Sequence, residues 1–204
     1  MITLKNISVS FDKKAVIKDL SFTFESGKKY AIMGESGSGK TTVLNVISDL
    51  IKPQSGEVLK NNDCKIAYVF QEPRLFDWMS VLENVSIAKT DAQSNKAIAE
   101  EILINLGLAE SLNQFPPELS GGMKQRVSIA RAMAYEPDVI LLDEPFKALD
   151  AQTKKYVATY LFDFCKDKTV IMVTHDESDL EYVDEVLKIE NTPVTSLTMV
   201  KCNR

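Results

Sequence analysis

The sequence predicts an α/β fold with a mainly parallel core sheet, an antiparallel β segment at the N-terminus and a helical insertion. Three observations lead to this prediction. Strand-like apolar runs alternate with helical segments along the chain, as they do in layered α/β proteins. The first 30 residues hold strand patterns with hairpin-like spacing. The block 72–118 holds two helical patterns and ends near Pro116-Pro117.

The N-terminal part is predicted to hold strands, one helix and one turn. Residues 2–9 alternate apolar and polar side chains, which is typical of a half-buried strand. A glycine-rich loop separates the third strand from the helix. The predicted elements are strands at 2–9, Ser21–Phe24, Tyr30–Met33 and Lys65–Phe70, a helix from Thr41 to about Leu50, and a turn marked by Pro53, Ser55 and Gly56.

The rest of the chain is predicted to alternate between helices and strands. The predicted helices are Val81–Ala88, Ser94–Leu106, Met123–Tyr135 and Ala151–Cys165. The predicted strands are Val139–Leu142, Thr169–Val173, Val186–Ile189 and Val194–Val200. We expect residues 1–204 to form a single domain, with 72–118 as a helical subdomain inserted into it.

Composition excludes several classes of protein. The chain has 204 residues, of which 45% are hydrophobic and 26% charged, so disorder, collagen and coiled coil are poor fits. With 24 basic and 29 acidic residues the net charge is −5, and we expect no general nucleic-acid binding. His175 is the single histidine, which excludes a histidine-rich zinc site.

Cysteine spacing and hydropathy predict a cytosolic chain. Cys64, Cys165 and Cys202 form no CxxC pattern, which favours reduced thiols. The N-terminus lacks the apolar stretch of a signal peptide. The longest aliphatic runs are far shorter than the roughly 20 residues of a membrane span, so we expect any membrane contact to be made through a partner.

The segment 34–41 matches the phosphate-loop pattern G-x-x-x-x-G-K-[ST]. Glycines let successive backbone N–H groups face a phosphate, and the following helix presents its positive end to the same anion. Lys40 supplies charge for the β- and γ-phosphates, and the Thr41 hydroxyl can ligate Mg²⁺. The pattern predicts nucleotide binding in a fold of the P-loop NTPase kind. The predicted nucleotide-contacting residues are Gly34, Glu35, Ser36, Gly37, Ser38, Gly39, Lys40, Thr41 and Thr42.

Two carboxylates follow the apolar run Val139–Leu142. Ligands of parallel sheets bind outside the carboxyl ends of the strands, so Asp143 and Glu144 are predicted to face the site. Asp143 is placed to hold Mg²⁺, and Glu144 could polarise an attacking water. Paired acids at a strand end can also be solvated loop residues, and the phosphate loop upstream favours the functional interpretation.

A second glycine motif, Leu119-Ser-Gly-Gly-Met-Lys-Gln-Arg126, precedes a predicted helix. Ser120 can cap that helix, and the Gly121 and Gly122 amides offer a second anion-binding end. With these motifs the chain resembles the nucleotide-binding subunits of ATP-binding-cassette (ABC) transporters over almost its whole length. The phosphate loop, Gln71, Leu-Ser-Gly-Gly, Asp143-Glu144, Ala148-Leu149-Asp150 and His175 occur in the family's order.

The resemblance implies a role for each matching residue. Phe11 resembles the aromatic residue that stacks on adenine, although it could instead be a core residue of the first hairpin. Gln71 resembles the glutamine that senses Mg²⁺ and the water and that links the site to a membrane partner. Glu144 resembles the general base, His175 the residue that contacts the γ-phosphate, and Asp150 an aspartate of the dimer interface.

The resemblance also implies an assembly. Two subunits would pair head to tail. The Leu-Ser-Gly-Gly motif of each would then face the partner's phosphate loop, and two ATP molecules would lie between the subunits. The implied partners are an integral-membrane permease, a solute-binding protein and a second copy of the chain. The implied location is the inner face of the cell membrane, held there through the permease.

The segment from Gln71 to Val85 is the most informative about the subfamily. It is similar to the nitrate, sulfonate and taurine importer group, in which Gln-Glu-Pro-Arg-Leu is followed by Leu-Pro-Trp. This chain has Phe76-Asp77 in place of that Leu-Pro, and importers of pyrimidine or thiamine precursors are also compatible. Phe76, Trp78 and Met79 could form an exposed groove for the permease or the core of the insertion. Lys147 stands where the family usually has a small residue.

Other classes fit less well. A P-loop kinase would not need Leu-Ser-Gly-Gly or the histidine. A DNA-repair cassette would carry a long coiled coil between Lys40 and Leu119, whereas here Leu119 follows Lys40 by only 79 positions. An ABC exporter or a lipoprotein-release ATPase is the main alternative to an importer, and a soluble ABC ATPase without a transport role is a further one.

Overall fold

The structure of the chain, a computed structural model, describes residues 1–88 and 92–200, with side chains at all of them except 92–94. Cys202 lies outside the described residues. The chain divides into two compact units. Unit 1 comprises Met1–Ile66, Asp138–Glu144 and the described residues from Asp167 onward, and unit 2 comprises Ala67–Pro137 and Pro145–Lys166.

Within the described residues the chain forms nine strands, five α-helices and three short 3₁₀ helices. The strands are β1 (Ile2–Phe11), β2 (Lys14–Phe24), β3 (Lys29–Met33), β4 (Ser55–Leu59), β5 (Ile66–Val69), β6 (Val139–Asp143), β7 (Thr169–Val173), β8 (Glu185–Lys188) and β9 (Thr198–Val200). The α-helices are α1 (Lys40–Ile47), α2 (Val81–Ser86), α3 (Ala92–Asn105), α4 (Gly121–Ala134) and α5 (Ala151–Phe164). The 3₁₀ helices are Ala109–Ser111, Pro116–Glu118 and Glu177–Tyr182.

Unit 1 contains an antiparallel sheet in the order β2-β1-β4. The strand β1 alternates buried and more exposed residues around an irregularity near Asn6, whose φ is 49°. The strand β4 pairs antiparallel with β1, and at this irregularity a Cβ on Gly56 would lie 2.3 Å from the Lys5 carbonyl oxygen. Only glycine fits so close to the neighbouring backbone.

The second sheet of unit 1 runs β6-β7-β3-β8-β9. The strands β6, β7, β3 and β8 run parallel to one another, and β9 pairs antiparallel with β8. Every residue of β6 and β7 is buried, which explains why both strands are nearly continuous apolar runs. The carboxyl ends of β3, β6 and β7 therefore open at one edge of this sheet, where the candidate site lies.

Unit 2 is mostly helical. The helices α2, α3 and α4 pack against one another, and α5 packs against α4. A capping box starts α2, because the Ser80 hydroxyl accepts from the Glu83 N–H while the Glu83 carboxylate accepts from the Ser80 N–H. The buried core of α4 includes Val127, Ile129 and Met133.

The predicted fold class is confirmed, and several predicted bounds need correction. The turn expected around Ser55 and Gly56 is wrong, because β4 starts at Ser55. This edge strand is mostly exposed and so carries no apolar alternation. The helix expected to reach Leu50 ends at Ile47, and Asp49 takes a left-handed φ of 62° just after it.

The closing strands also differ from the prediction. The strand expected at 194–200 is limited to β9, and Val194 instead forms an isolated bridge with Ile17.

In the part of the chain that the structure describes, none of the helices has the length and apolar character that a membrane crossing requires. The prediction of a single domain with an insertion at 72–118 stays a prediction.

Candidate functional site

The candidate site of unit 1 is built on the loop between β3 and α1. The buried residues Ala31 and Ile32 anchor β3 between β7 and β8, so the loop leaves the sheet from a fixed strand end. The segment from Gly34 to Thr42 predicted from the phosphate-loop pattern occupies this strand-to-helix turn. The strand before the loop and the helix after it are the context that the pattern requires.

Glycine is needed in this loop for two separate reasons. Gly37 and Gly39 have φ angles of 76° and 101°, in the left-handed region that other residues seldom adopt. A Cβ on Gly39 would also lie 3.0 Å from Val16 Cγ1 and 3.1 Å from Val194 Cγ2. The start of β2 and the segment before β9 therefore pack against the loop and leave no room for a side chain at position 39.

The ammonium group of Lys40 is held inside the loop. Its Nζ donates to the carbonyl oxygens of Gly34 and Glu35, at 2.8 and 2.6 Å. Lys40 is buried, and burial lowers the pKa of its amine, while the nearby charges of Glu144 and Asp143 act in the opposite direction. A bound anion at this position would stabilise the charged form of the amine.

The start of α1 differs from that of an ordinary surface helix. Its N-cap residue is Gly39, and among the described residues no side chain caps this end. The first N–H groups of a helix have no partner inside the helix and carry the positive end of its dipole. This helix start is therefore suited to a phosphate.

Thr41 and Asp143 are joined across unit 1. The Thr41 hydroxyl donates to Asp143 Oδ2 at 2.9 Å, and Asp143 is buried at the end of β6. A hydroxyl and a carboxylate are both oxygen donors, which is the chemistry that Mg²⁺ prefers. The described residues contain no cluster of three or more His, Cys, Asp or Glu side chains suited to a metal. A magnesium ion that arrives with nucleotide phosphates needs only one or two protein ligands, so this pair fits such an ion.

Glu144 and His175 meet next to this pair. Nδ1 of His175 lies 3.2 Å from Glu144 Oε1 and donates to it when that nitrogen carries the proton. The Glu144 N–H donates to the Val173 carbonyl oxygen at 2.9 Å, which extends the β6–β7 pairing by one residue. Glu144 then turns sharply, with a φ of 47°. The side chain of Glu144 is 17% exposed and that of His175 is 61% exposed.

Phe11 lies at the end of β1 in the same unit. It pairs with Lys14 across the hairpin turn, and its side chain is 46% exposed. The alternative that Phe11 is a core residue of the first hairpin is therefore wrong. The same hairpin reaches the phosphate loop through Val16, which is where a Cβ on Gly39 would clash.

The second glycine motif starts α4 in unit 2. The Ser120 hydroxyl caps this helix by accepting from the Met123 N–H at 3.3 Å, as the sequence predicts. A Cβ on Gly122 would lie 3.0 Å from the Ala148 carbonyl oxygen, whereas one on Gly121 would meet no atom within 4 Å. Gly122 is thus a close-packing glycine and Gly121 faces open space.

Asp150 starts α5, also in unit 2. Its Oδ1 accepts from the Gln152 and Thr153 N–H groups at 3.1 and 3.0 Å. Hydrogen bonding from Thr153 holds the pKa of the Asp150 carboxyl below its usual range. Sequence reasoning identified Asp150 only through the family resemblance and missed this capping role, although an aspartate before a helix is its usual signal.

The segment after β5 presents aromatic side chains to solvent. Gln71 is exposed, and Trp78 and Phe76 are 73% and 36% exposed, so the alternative that these aromatics are core of the insertion is wrong. Met79 is half-buried and Lys147 is exposed. Nothing in the structure explains the choice of lysine at 147.

The exposed segment is nevertheless anchored. The buried Asn84 accepts from the Phe76 N–H at 2.8 Å and donates to the carbonyl oxygens of Phe76 and Met79 at 3.0 and 2.9 Å. The Arg131 guanidinium donates to the Arg74 carbonyl oxygen at 2.6 Å. These side-chain bonds hold the backbone on both sides of Phe76.

The structure brings together one part of the predicted set. Within unit 1 it joins Thr41 to Asp143 and Glu144 to His175, and it places Lys40 in the loop beside them. Gln71, Ser120, Gly121, Gly122 and Asp150 belong to unit 2. Sequence reasoning missed Val16 and Val194, because no local pattern reports a contact between distant segments.

The fold and this arrangement define an ATP-binding cassette, the ATPase subunit of an ABC transporter. The ABC transporter family matches residues 17–147, and the chain belongs to that family. The chain is 32% identical to the ATP-binding cassette MJ0796, solved as a dimer in a post-hydrolysis state bound to ADP and Pi. The two superpose with a TM-score of 0.88 over 98% of each chain.

Two named relatives are similar to the chain over most of their length. The chain is 37% identical to the aliphatic sulfonates import ATP-binding protein SsuB of Rhodopseudomonas palustris, over 100% of this chain and 75% of the relative. It is 38% identical to the ergothioneine transport ATP-binding protein EgtV of Helicobacter pylori, over 89% of this chain and 92% of the relative.

Proposed function

We propose that this ATPase subunit acts as one half of a dimer whose ATP-driven closure powers solute import through a separate permease. The observation that carries the proposal is the edge of the sheet in unit 1. There the phosphate loop, the Thr41–Asp143 hydrogen bond and the Glu144–His175 contact lie together. Each part has a place in phosphoryl transfer, in which positioning and charge stabilisation carry most of the catalysis.

The nucleotide is proposed to bind the loop from Gly34 to Thr42. Lys40 contributes a buried positive charge, and the start of α1 contributes amides that no side chain of the described residues caps. The exposed ring of Phe11 is available to stack on adenine. Thr41, Asp143 and Gln71 would hold Mg²⁺, which when bound neutralises phosphate charge.

Hydrolysis is proposed to use Glu144 as the base. A water attacks the γ-phosphorus, its proton goes to the Glu144 carboxylate, and the bond from the γ-phosphorus to the β–γ bridging oxygen breaks. ADP and inorganic phosphate are the products. His175 would contact the γ-phosphate and orient the water, and its distance of 3.2 Å from Glu144 suits a group that works beside the base.

The residues of unit 2 are proposed to act on a nucleotide held by the other subunit. In a head-to-tail dimer the starts of α4 and α5, with Ser120, Gly121, Gly122 and Asp150, would face the partner's phosphate loop. The dimeric state of the solved cassette MJ0796 supports this assembly. ATP would then act as an adhesive between subunits, and loss of the γ-phosphate would release them.

Import is favoured over export by the named relatives. Aliphatic sulfonate import and ergothioneine transport occur in their names, so a small polar organic solute, such as a sulfonate, is the substrate class that we propose. The anchored, exposed aromatics at Phe76 and Trp78 offer a docking surface for the permease. The chain would lie at the cytoplasmic face of the membrane through that permease, with a solute-binding protein in the same system.

The test of the hydrolytic role is Glu144→Gln, which keeps the size of the side chain and removes its basicity. We expect ATP affinity to stay within about twofold while turnover falls by about 10² to 10³, and a dimer to accumulate with ATP. His175→Ala should lower turnover with little change in ATP affinity. Turnover, equilibrium ATP binding and size-exclusion chromatography report these effects, with Glu181→Gln as the control. Parent-like hydrolysis by Glu144→Gln would show that Glu144 is not the base.

The test of the transport role is co-purification of the native complex. We expect a permease to be recovered with the parent chain and to be lost with Trp78→Ala, while the ATP affinity of the isolated chain is unchanged. Tyr156→Ala, which also removes an exposed aromatic of unit 2, is the control. A full ATPase cycle with no membrane partner would contradict a transporter role.

A further inference from the structure

The imidazole of His175 projects from the turn that follows β7. Its side chain is 61% exposed, so packing around the ring does not fix its direction. The ring nevertheless lies 3.2 Å from Glu144 Oε1. With little packing around the ring, the backbone that carries it is a main restraint on its direction, and a misplaced catalytic group loses rate.

Thr174 fixes the backbone before the histidine. It is buried, and its hydroxyl donates to Asp179 Oδ2 at 2.5 Å. The same hydroxyl oxygen accepts from the Asp176 N–H at 3.1 Å, so one oxygen bonds to both sides of the turn that carries His175. The Thr174 N–H donates to the Ile32 carbonyl oxygen at 3.3 Å, which ties the turn to β3.

Asp176 and Asp179 close the turn after the histidine. Asp176 Oδ1 accepts from the Ser178 N–H at 2.9 Å and from the Ser178 hydroxyl at 2.8 Å. The Asp179 N–H donates to the Asp176 carbonyl oxygen at 3.1 Å. The chain from 174 to 179 is therefore a closed hydrogen-bonded ring, and His175 projects from it.

We propose that Thr174 and Asp179 are positioning residues that set the direction of His175 through this ring. The proposal rests on the proposed function of His175 in hydrolysis. Asp179 is a buried carboxylate, and burying a carboxylate is unfavourable unless it makes strong hydrogen bonds. The bond from the Thr174 hydroxyl supplies one, and in doing so it restrains the residue next to the histidine.

The test removes one hydroxyl without changing the shape of the side chain. Thr174→Val should lower kcat for ATP by about tenfold, with the KM for ATP unchanged, because a displaced catalytic group loses rate rather than binding. Asp179→Asn, whose amide oxygen can still accept from the hydroxyl, should act in the same direction with a smaller loss. Thr174→Ser, which restores the hydroxyl, should keep kcat within about twofold of the parent.

A matched control separates positioning from general stability. Thr169 is equally buried in unit 1, and its hydroxyl accepts from the Gly27 N–H at 3.0 Å at the opposite end of β7. Thr169→Val should lower the melting temperature and leave kcat unchanged. The decisive measurement repeats Thr174→Val in a His175→Ala background, where we expect no further loss of kcat.

The outcomes distinguish this inference from the proposed function. If His175→Ala turns over ATP at the parent rate, the role of the histidine and the inference both fail. If His175→Ala is slow and Thr174→Val keeps the parent kcat, only the inference fails. It fails as well if Thr174→Val lowers kcat equally with and without the histidine, because the ring then acts on something else.

Discussion

The starts of α1 and α4 both contain glycine, as the N-cap Gly39 of α1 and the first residues Gly121 and Gly122 of α4, yet the two starts are capped differently. Ser120 caps α4 through its hydroxyl, whereas among the described residues no side chain caps α1. The α1 start also holds the buried amine of Lys40, while Gly121 at the α4 start is exposed. The first is equipped to hold an anion within one chain, and in the proposed dimer the second would face an anion that the partner holds.

The largest effect is expected from removing the positive charge that distinguishes the start of α1 from the start of α4. Lys40→Ala should weaken ATP binding by about 100-fold and lower ATPase activity to background, because several charge-assisted hydrogen bonds are lost. Titration calorimetry with ATP measures the affinity. The control is Lys124→Ala at the α4 start, for which monomer ATP affinity should not change. Equal effects of the two variants would remove the distinction between the starts.

Next in size is a paired glycine substitution. Gly39→Ala must adopt a φ near 101° and place a Cβ 3.0 Å from Val16, so we expect the free energy of unfolding to fall by about 1–3 kcal/mol and ATP binding to be lost. Gly121→Ala meets no atom within 4 Å in a helix, so the free energy of unfolding should rise by up to about 1 kcal/mol. Urea denaturation tests both, and changes of the same sign would contradict the comparison.

The smallest expected effect concerns Asp150, which caps α5 much as Ser120 caps α4. Because folding lowers the pKa of Asp150 below its ordinary value of 3.8, the ionised cap stabilises the fold above that value. This contribution disappears as the pH falls through the folded-state pKa. Asp150→Asn caps without titrating, so its melting temperature should fall less steeply with pH below about 4. Parallel curves for the two proteins would rule out a titrating cap.

The sequence predicts the parts of the molecule that local patterns encode. The apolar runs of β6 and β7 appear in the structure within one residue of their predicted bounds. The meeting of Thr41 with Asp143, 102 positions apart, follows from parallel strands that open at one edge. A strand-to-helix loop and a strand end suffice for that prediction, because each has a local signal.

Local patterns do not report features set by distant contacts. The strand β4 escapes detection, because an edge strand with few buried residues has no clear alternation and its glycine is needed by the backbone of β1. The close approach of Val16 and Val194 to Gly39 involves segments that are far apart in the chain. The ring around His175 has a weak local signal in Thr174 and Asp176, but the bond to the buried Asp179 depends on the fold.

The left-handed backbone at Glu144, with its φ of 47°, has a consequence for evolution and engineering. A non-glycine residue in this region costs about 1 kcal/mol, which glycine would not incur. A selection for thermal stability alone would therefore favour glycine at the position of the proposed base. The chain keeps a carboxylate there at the expense of stability, so consensus design or heat-based screening should exclude this position from substitution.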